Sequence, residues 1–141
     1  MEFSIDIKGY YRDGSRGLFP NYPGVYFVYR GYFVPHLKTV TLKELLYIGE
    51  SGDIGTRLNN HERRDDFLSY LHADEELFYS FAVTDNLSDN HRQRIEASLI
   101  YELCPPLNTS LTESFGYSST VIHVLGDRHA YIPTTVEAPS Y

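Results

Sequence analysis

The run GVYFVYRGYFV, residues 24–34, constrains the fold of this chain most strongly. Valine, tyrosine and phenylalanine make up most of it, and because these side chains suit a pleated, half-buried surface, the run predicts a strand. The polar segment VPHLKTVTLKE that follows is expected to be a connection, and LLYIG, ending at Gly49, predicts a second, short and mostly buried strand. Two strands joined in this way are expected to be antiparallel neighbours.

Further strands are predicted on both sides of this pair. Near the start, Phe3, Ile5 and Ile7 alternate with polar residues, which is typical of a strand with one buried face. The segments ELFYSFAVT and STVIHVLG predict two more strands, and the tail IPTTVEAPSY is expected to be extended. Thirteen tyrosines and eight phenylalanines, with no tryptophan, also favour a sheet-rich structure.

Two segments carry a helical pattern. Asp53 is a candidate N-cap, after which Ile54 and Leu58 face inward, and DDFLSYLH continues or restarts this helix. The clearest helix spans residues 88–104, which begin with Ser and Asp and end before two prolines. Cys104, the only cysteine, is expected to be a small buried residue without a disulfide partner.

The charge of the chain limits the partners that it can bind. The formal net charge of -7 argues against indiscriminate binding to a polyanion. Residues 1–64 carry nine Lys or Arg and seven Asp or Glu, a balance of +2, whereas residues 65–141 carry three and twelve, a balance of -9. Any contact with nucleic acid is therefore expected on the first half. Because no apolar run approaches membrane-spanning length and the start lacks a signal-peptide pattern, we expect a soluble, cytoplasmic protein.

Three evenly spaced glycines occur in LLYIGESGDIGTRLNNHE, residues 45–62, and glycine runs of this kind can form phosphate-binding loops. A nucleotide-triphosphate loop needs a lysine after its last glycine, which GESGDIGTR lacks, and Glu50 and Asp53 would repel phosphate. The dinucleotide fingerprint G-x-G-x-x-G fails as well, because these glycines are spaced G-x-x-G-x-x-G. We therefore set both nucleotide-binding interpretations aside.

The predicted helix after these glycines carries a basic pair. Arg57 and His61 are four residues apart, so on a helix they would lie on one face within reach of a shared anion. Arg63 and Arg64 follow, so the alternative is a solvated basic face. The pair alone does not decide between these two interpretations.

Glu96 is a carboxylate on the apolar face of the helix predicted over residues 88–104. It lies three and four positions before Leu99 and Ile100. A carboxylate that faces a core is costly unless it is paired, protonated or bound to a metal. Arg92, four residues earlier, is the structural candidate for a partner. Mg²⁺ would instead suit a lone carboxylate, because it takes only one or two protein oxygens.

Taken in order, these residues resemble the GIY-YIG nuclease family. The matching elements span roughly residues 22–110 and are Gly24-Val25-Tyr26, Tyr47-Ile48-Gly49, the Arg57 and His61 pair, Glu96 and Pro106-Leu107-Asn108. The resemblance implies an α+β fold with a small three-stranded antiparallel sheet flanked by helices, in which the two tyrosine motifs lie on neighbouring strands. Short extra strands are expected at the termini, and the whole chain, residues 1–141, is expected to form one nuclease domain.

The resemblance also implies a metal-dependent site built on Glu96 and two tyrosines. Glu96 would bind one Mg²⁺ at the scissile phosphate, with Mn²⁺ as the alternative metal. Tyr26 would be the general base for the attacking water, and Tyr47 would line the same site. A phenol has an ordinary pKa near 10, so a base at neutral pH needs a lowered pKa, for which the metal, Arg57 and a protonated His61 are the available causes.

The resemblance also implies roles for the other matching residues, which would bind the phosphate and support the site. Arg57 would hold the phosphate, His61 would lie beside the proton path of the nucleophile, and Asn108 would support the site. Phosphodiester hydrolysis concentrates negative charge on the phosphoryl oxygens, which a metal and a fixed guanidinium both neutralise. The alternatives are that either tyrosine is a sheet-packing aromatic and that Asn108 belongs to an ordinary turn.

Two features depart from common patterns of that family. The gap between the two tyrosine motifs is longer, which implies an extended hairpin whose Lys38 and Lys43 could contact a phosphate backbone. Arg63 and Arg64 are further candidates for contact with nucleic acid. The chain is acidic and shows no appended zinc finger or helix-turn-helix, so the way it would find a substrate is open.

The sequence therefore predicts a magnesium-dependent DNA endonuclease, closer to restriction-type members of the family than to homing or repair members. Such an enzyme is expected to act as a homodimer, and RNA is not excluded as a substrate. One alternative is a structure-selective repair nuclease that needs a protein partner, bound through the acidic second half. A second alternative is a non-catalytic module on the same fold that binds nucleic acid or protein.

Overall fold

The structure, a computed structural model, describes residues 1–129 and 131–140. The strands are β1 Glu2–Arg12, β2 Gly24–Val34, β3 Thr39–Ser51, β4 Glu76–Val83, β5 Thr120–Gly126 and β6 Thr135–Ala138. The helices are α1 Ile54–Asn59, α2 Arg64–Ser69 and α3 Asp89–Leu103, with a 3-10 helix at Asp13–Leu18. The six strands join one sheet in the spatial order β3-β2-β4-β1-β5-β6.

The β2–β3 hairpin is the most extensive pairing in this sheet. It extends from Gly24 opposite Ser51 to Val34 opposite Thr39, with two register shifts. β2 also pairs antiparallel with β4, and β4 pairs antiparallel with β1. β1 pairs parallel with β5, so the sheet is mixed.

The sheet curls around α3. Ile95, Leu99 and Ile100 of α3 belong to a core that also receives side chains from all six strands. α3 contacts both edge strands, β3 and β6, which a flat six-stranded sheet would hold about 24 Å apart. Between β5 and β6, the hydroxyl of Tyr131 donates to the carbonyl oxygen of Lys43 in β3 at 2.6 Å. Because the sheet curls around α3, the segment between β5 and β6 reaches β3 at the opposite edge of the sheet.

The opposite face of β2, β3 and β4 is covered by the 3-10 helix, α1 and α2. Leu58 and Phe67 from the two helices belong to one apolar cluster with Tyr26 of β2. Val25 and Phe27, the neighbours of Tyr26, point instead into the core around α3. Both faces of β2 are buried, which explains why this strand is apolar nearly throughout.

The prediction of a small three-stranded antiparallel sheet flanked by helices is wrong. β3, β2 and β4 lie side by side and antiparallel, but the sheet continues through β1, β5 and β6. The strand at the N-terminus is not a short addition, since β1 has 11 residues and pairs on both sides, whereas β6 near the other end has only four. The alternation of Phe3, Ile5 and Ile7 reveals a buried face, but it cannot reveal that this strand pairs with residues near the other end of the chain.

Three local predictions are also corrected. The segment expected to connect the first two strands is mostly strand, because β3 begins at Thr39. The helix expected to carry both Arg57 and His61 ends at Asn59, and α2 begins separately. Cys104, expected to be buried, is exposed, because it is the left-handed residue that ends α3 and it lies outside the packed face of that helix.

Other predicted elements are confirmed. The strand over Gly24–Val34 has the predicted bounds. Asp53 caps α1 by accepting a hydrogen bond from the N–H of Thr56, and Ser88 caps α3 by accepting one from the N–H of His91. The longest helix, α3, has 15 residues, and no helix of the described chain is long and apolar enough to cross a membrane.

Arg30 of β2 joins the central strands through two ion pairs. Its guanidinium lies 2.9 Å from the carboxylate of Glu44 and 2.7 Å from that of Glu75, whose side chain is only 7% exposed. Removing the arginine would leave the Glu75 carboxylate buried without its cation. By contrast, the pair between Arg12 and Glu76 is more exposed, at 49% and 33% of the two side chains.

We expect Arg30→Met to lower the free energy of unfolding by about 3 kcal/mol, because it leaves a buried carboxylate unpaired. Arg12→Met removes the more exposed pair and is expected to cost clearly less than Arg30→Met. Urea unfolding of both variants at pH 7 measures the difference. Equal losses in the two variants would contradict the role given to Arg30.

Candidate active site

Tyr26, Tyr47 and His61 form an aromatic cluster at the open end of the β2–β3 hairpin. Tyr26 is 1% exposed and lies directly opposite Gly49 of β3. The ring centroids of Tyr26 and Tyr47 are 6.3 Å apart, and the ring of His61 lies 5.6 Å from the first and 5.5 Å from the second. The fold thus brings together both tyrosine motifs and a histidine 35 positions beyond the first.

Close packing requires the glycines of both tyrosine motifs. A Cβ atom on Gly49 would overlap the Cζ atom and the hydroxyl oxygen of Tyr26, because the buried ring lies directly over this glycine. A Cβ atom on Gly24 would overlap the carbonyl oxygen of Ala82 and the side chain of Ile54. Both glycines are therefore steric requirements of the cluster.

His61 lies in the loop after α1 and is 6% exposed. Its Nδ1 accepts a hydrogen bond from the main-chain N–H of Arg63 at 3.0 Å, and its Nε2 lies 2.7 Å from the hydroxyl oxygen of Tyr26. Because Nδ1 is an acceptor, the proton of the neutral ring is on Nε2, so His61 donates to Tyr26. The hydroxyl proton of Tyr26 is then free to donate elsewhere.

Burial sets the protonation of this cluster. Burial, with the positive charge of Arg57 as the second cause, lowers the pKa of His61 to about 4. In the chain alone His61 is therefore neutral, and it acts on Tyr26 as a hydrogen-bond donor rather than as a cation. Burial also raises the pKa of Tyr26 well above its usual range and raises the pKa of Tyr47. A base role for Tyr26 therefore needs additional positive charge beside it.

Arg57 is the nearest source of such charge within the chain. It lies in the last turn of α1, and its proximity acts to lower the pKa of Tyr26, although burial outweighs this effect. Its Nη2 lies 3.2 Å from Oε1 of Glu62, whose side chain is 75% exposed. Exposed ion pairs contribute little free energy, so a phosphate could replace Glu62 at small cost.

Glu96 has no ion-pair partner among the described residues. Arg92, its candidate partner, donates instead to Glu50 of β3 and, at 2.8 Å, to Asp89. Burial, with the negative charge of Glu50 as the second cause, raises the pKa of Glu96 to about 7. The Glu96 carboxylate also lies close enough to Tyr26 for its charge to act on the phenol. Simple pairing with Arg92 therefore does not account for this carboxylate.

Asn108 pairs with the edge of the sheet. Its Oδ1 accepts from the N–H of Ile48 at 2.9 Å, and its Nδ2 donates to the carbonyl oxygen of the same residue at 2.9 Å. The N–H of Leu107 donates to the carbonyl oxygen of Leu46 at 3.0 Å. Together these bonds cover the part of β3 that carries Tyr47, where an edge strand would otherwise expose its main-chain groups.

Arg63 and Arg64, predicted to contact nucleic acid, make contacts within the protein. The Nη2 of Arg63 donates to the carbonyl oxygen of Leu107 at 3.0 Å, and its guanidinium lies 5.6 Å from the ring centre of Tyr47. Arg64 donates to both carboxylate oxygens of Asp13 in the 3-10 helix. These side chains hold the site together, and their contact with nucleic acid stays a prediction.

Lys38 and Lys43 are not brought to this cluster. Lys38 lies in the turn of the hairpin, and the Nζ of Lys43 lies 5.5 Å from the ring centre of Tyr32. The eight residue steps from Tyr26 to Val34 span about 26 Å, so Lys38 lies at the far end of the hairpin, whereas Lys43 lies four residues, or about 13 Å, from Tyr47 along β3. Any contact that Lys38 makes with a nucleic acid would be remote from the tyrosines, and a contact through Lys43 would lie about one nucleotide or two from Tyr47 along the strand.

Sequence analysis missed Glu50 and Asp13 as partners of the site arginines. Glu50 meets Arg92 across 42 positions, and Asp13 meets Arg64 across 51. Neither pair has a local spacing that identifies it, because charges interact through space and the chain path decides which of them meet. No signal in the sequence would have found these two residues.

Of the residues that the structure describes, a single carboxylate, that of Glu96, fits a metal site. Among the described residues, no group of three or more His, Cys, Asp or Glu side chains is arranged to hold a metal ion. Glu96 alone would suit Mg²⁺ or Mn²⁺, which can fill most coordination positions with water and phosphate oxygens. No protein-family model, curated protein or solved structure matches the chain. The resemblance to the GIY-YIG nucleases therefore rests on the residues alone.

Gly49→Ala is expected to displace the Tyr26 ring and to lower the free energy of unfolding by about 1–3 kcal/mol, because the new methyl group overlaps a buried side chain. Gly52→Ala is the matched control, since a Cβ atom at Gly52 would meet no other atom within 4 Å. This control should change stability by less than about 0.5 kcal/mol. Urea unfolding of both variants tests the expectation, and equal stabilities would contradict it.

Glu96 and His61 are expected to give opposite pH dependences of stability. The pKa of Glu96 rises from 4.5 to about 7 on folding, so between these values only the folded protein holds the proton, and stability falls as pH rises. The pKa of His61 falls from 6.5 to about 4, so between these values only the unfolded chain holds the proton, and stability rises with pH. In the unmodified protein the two slopes largely cancel.

Single substitutions should separate these slopes. Glu96→Gln is expected to be more stable than the unmodified protein at pH 8 by about 2 kcal/mol in the absence of metal, and its stability should rise from pH 4 to 6.5. His61→Gln should show the reverse, a stability that falls from pH 4.5 to 7. Urea unfolding at intervals of pH measures both profiles. Parallel profiles in the two variants would refute the opposing shifts.

Proposed function

We propose that the protein is a metal-dependent endonuclease that hydrolyses phosphodiester bonds in DNA. The observation that carries the proposal is the unpaired Glu96 carboxylate, half-buried beside Tyr26, while Arg92 is engaged by Glu50 and Asp89. Such a carboxylate is costly in a protein that makes no use of it. The resemblance of the ordered residues to the GIY-YIG nucleases supports the same proposal.

The chain supplies groups for each requirement of phosphodiester hydrolysis. Glu96 would hold Mg²⁺ or Mn²⁺, and when bound this ion would neutralise charge that develops on the phosphoryl oxygens. Arg57 would bind the phosphate in place of Glu62. His61 donates its Nε2–H to the Tyr26 oxygen, a bond that would stabilise the ionised phenol, and in that form Tyr26 would accept the proton of the attacking water as the general base. Tyr47 would line the same site, and Asn108 would keep the strand beneath it in register.

Binding to DNA is expected to be weak for the isolated chain. Arg57, Arg63 and Arg64 are each paired with a carboxylate, and the net charge is -7. This pairing favours, as the second candidate, a structure-selective nuclease that needs a protein partner on the acidic second half. A homodimer would serve the same end by doubling the contacts to the phosphate backbone. We place either form in the cytoplasm.

Cleavage assays test the proposal directly. Plasmid, branched DNA, single-stranded DNA and RNA are incubated with the purified protein in Mg²⁺, Mn²⁺ or EDTA. We expect cutting of DNA only with metal, and a loss of at least about 100-fold in Glu96→Gln, because the variant cannot hold the ion. Glu102→Gln, on the same helix with its carboxylate bonded to Ser140, is the matched control.

Equal cutting by Glu96→Gln and Glu102→Gln would contradict the proposal that Glu96 binds the metal. Cutting in EDTA would exclude a metal-dependent reaction. Absence of cutting on every substrate, without recovery when a cell extract is added, would favour a non-catalytic binding module. Cutting that appears only with the extract would identify the partner-dependent form.

A further inference from the structure

Glu50 of β3 forms an ion pair with Arg92 of α3 beside the proposed metal-binding carboxylate. Glu50 directly follows Gly49, over which the Tyr26 ring lies, and it meets the arginine across 42 positions of the chain. Glu96 lies one helical turn after Arg92. The side chains of Glu50 and Arg92 are only 20% and 7% exposed, and the mechanism above gives neither of them a role.

Helical spacing makes Arg92 and Glu96 potential partners. Side chains four residues apart on a helix lie on the same face and can form an ion pair. Besides burial, the negative charge of Glu50 raises the pKa of Glu96 and the positive charge of Arg92 lowers it, so both charges lie within electrostatic reach of this carboxyl group. Arg92 nevertheless donates its Nε to Glu50 and its Nη1 to Asp89. These two carboxylates therefore compete successfully with Glu96 for the guanidinium.

Of the two carboxylates, Glu50 is the one that holds Arg92. The side chain of Asp89 is 82% exposed, so its pair with the arginine contributes little free energy. Glu50 is largely buried, and its hydrogen bond from Arg92 is charge-assisted. A buried guanidinium that loses such a partner needs another carboxylate, because an unpaired buried charge is costly. Glu96, half-buried on the same face of α3, is the expected new partner.

We propose that Glu50 is a positioning residue of the nuclease site, which holds Arg92 away from Glu96 and so keeps the Glu96 carboxylate free for the metal ion. The inference rests on the proposed function and deepens it. It explains how Glu96 stays unpaired although an arginine lies one turn before it on the helix. Glu50 touches neither the metal nor the phosphate, and its effect on the metal passes through Arg92 alone.

Unfolding in EDTA tests this role without metal or DNA. At pH 8, Glu96→Gln should raise the urea midpoint of the unmodified protein, because it removes an unpaired, half-buried charge. In the Glu50→Gln background, where Arg92 is expected to pair with Glu96, the same substitution should lower the midpoint, because it breaks the new pair. An effect of the same sign in both backgrounds would overturn the proposal. So would a Glu50→Gln variant that does not fold, because the released guanidinium would then not have found Glu96.

Binding of Mn²⁺ alone, measured by electron paramagnetic resonance, tests the consequence for the metal. Glu50→Gln should weaken this binding about tenfold, the factor expected if Arg92 occupies Glu96 in about nine molecules of ten. The double variant Glu50→Gln/Arg92→Gln should bind Mn²⁺ like the unmodified protein, because no guanidinium is left to compete and the net charge is unchanged. Glu44→Gln is the matched control, an equal charge change on β3 whose partner Arg30 keeps a second carboxylate, and it should bind normally.

The double variant separates positioning from direct coordination of the metal. If Glu50 were itself a ligand, the single and the double variant would lose Mn²⁺ affinity equally, and that result would contradict the proposal. An equal loss in Glu44→Gln would show only weaker long-range attraction and would contradict it as well. If the effect of Glu96→Gln on stability changes sign as expected but no variant binds Mn²⁺ or cuts DNA, the nuclease proposal fails while the control of Arg92 by Glu50 stands.

Discussion

The packing of α3 inside the curled sheet is the constraint on which the site depends. Ile95 and Leu99 are fully buried there, and each contributes about 1.5–3 kcal/mol of stabilisation. Their burial fixes the rotation of the helix and carries Glu96 to the edge of β3, beside Glu50. Keeping Glu96 ionised at this position costs about 3 kcal/mol, which is less than the packing contributes. The helix therefore stays in place, and the carboxyl group adapts by holding its proton near neutral pH.

One physical cause explains three shifted pKa values. Burial disfavours charge, so it raises the pKa values of Glu96 and Tyr26 and lowers the pKa of His61. Positive charge brought beside Glu96 would favour the ionised forms of both the carboxyl group and the phenol. A cation bound there would therefore also lower the pKa of Tyr26, which agrees with the proposed hydrolysis. His61 contributes a fixed hydrogen bond to Tyr26 and no charge.

The arginines around the site form ion pairs with carboxylates. Arg57 faces Glu62, Arg63 faces Asp66, and Arg64 shares Asp13 with Arg16. These pairs orient the guanidiniums and limit attraction to polyanions, in keeping with the net charge of -7. Under the proposed function, a nucleic acid would reach Arg57 or Arg63 by displacing the exposed carboxylate of Glu62 or Asp66, so shape and local contacts would decide binding more than long-range charge.

Local patterns in the sequence determined the individual elements. The β2 strand, the Asp53 and Ser88 caps and the Pro-Pro end of α3 follow from propensity and capping chemistry, which act between residues close in sequence. The order of the tyrosine motifs, Arg57, His61 and Glu96 also identified a candidate site. Only the tertiary structure decided the six-stranded sheet, the loop position of His61 and the partners Glu50 and Asp13. Strand pairing and charge pairing join residues far apart in the chain, and no local period encodes which distant residues meet.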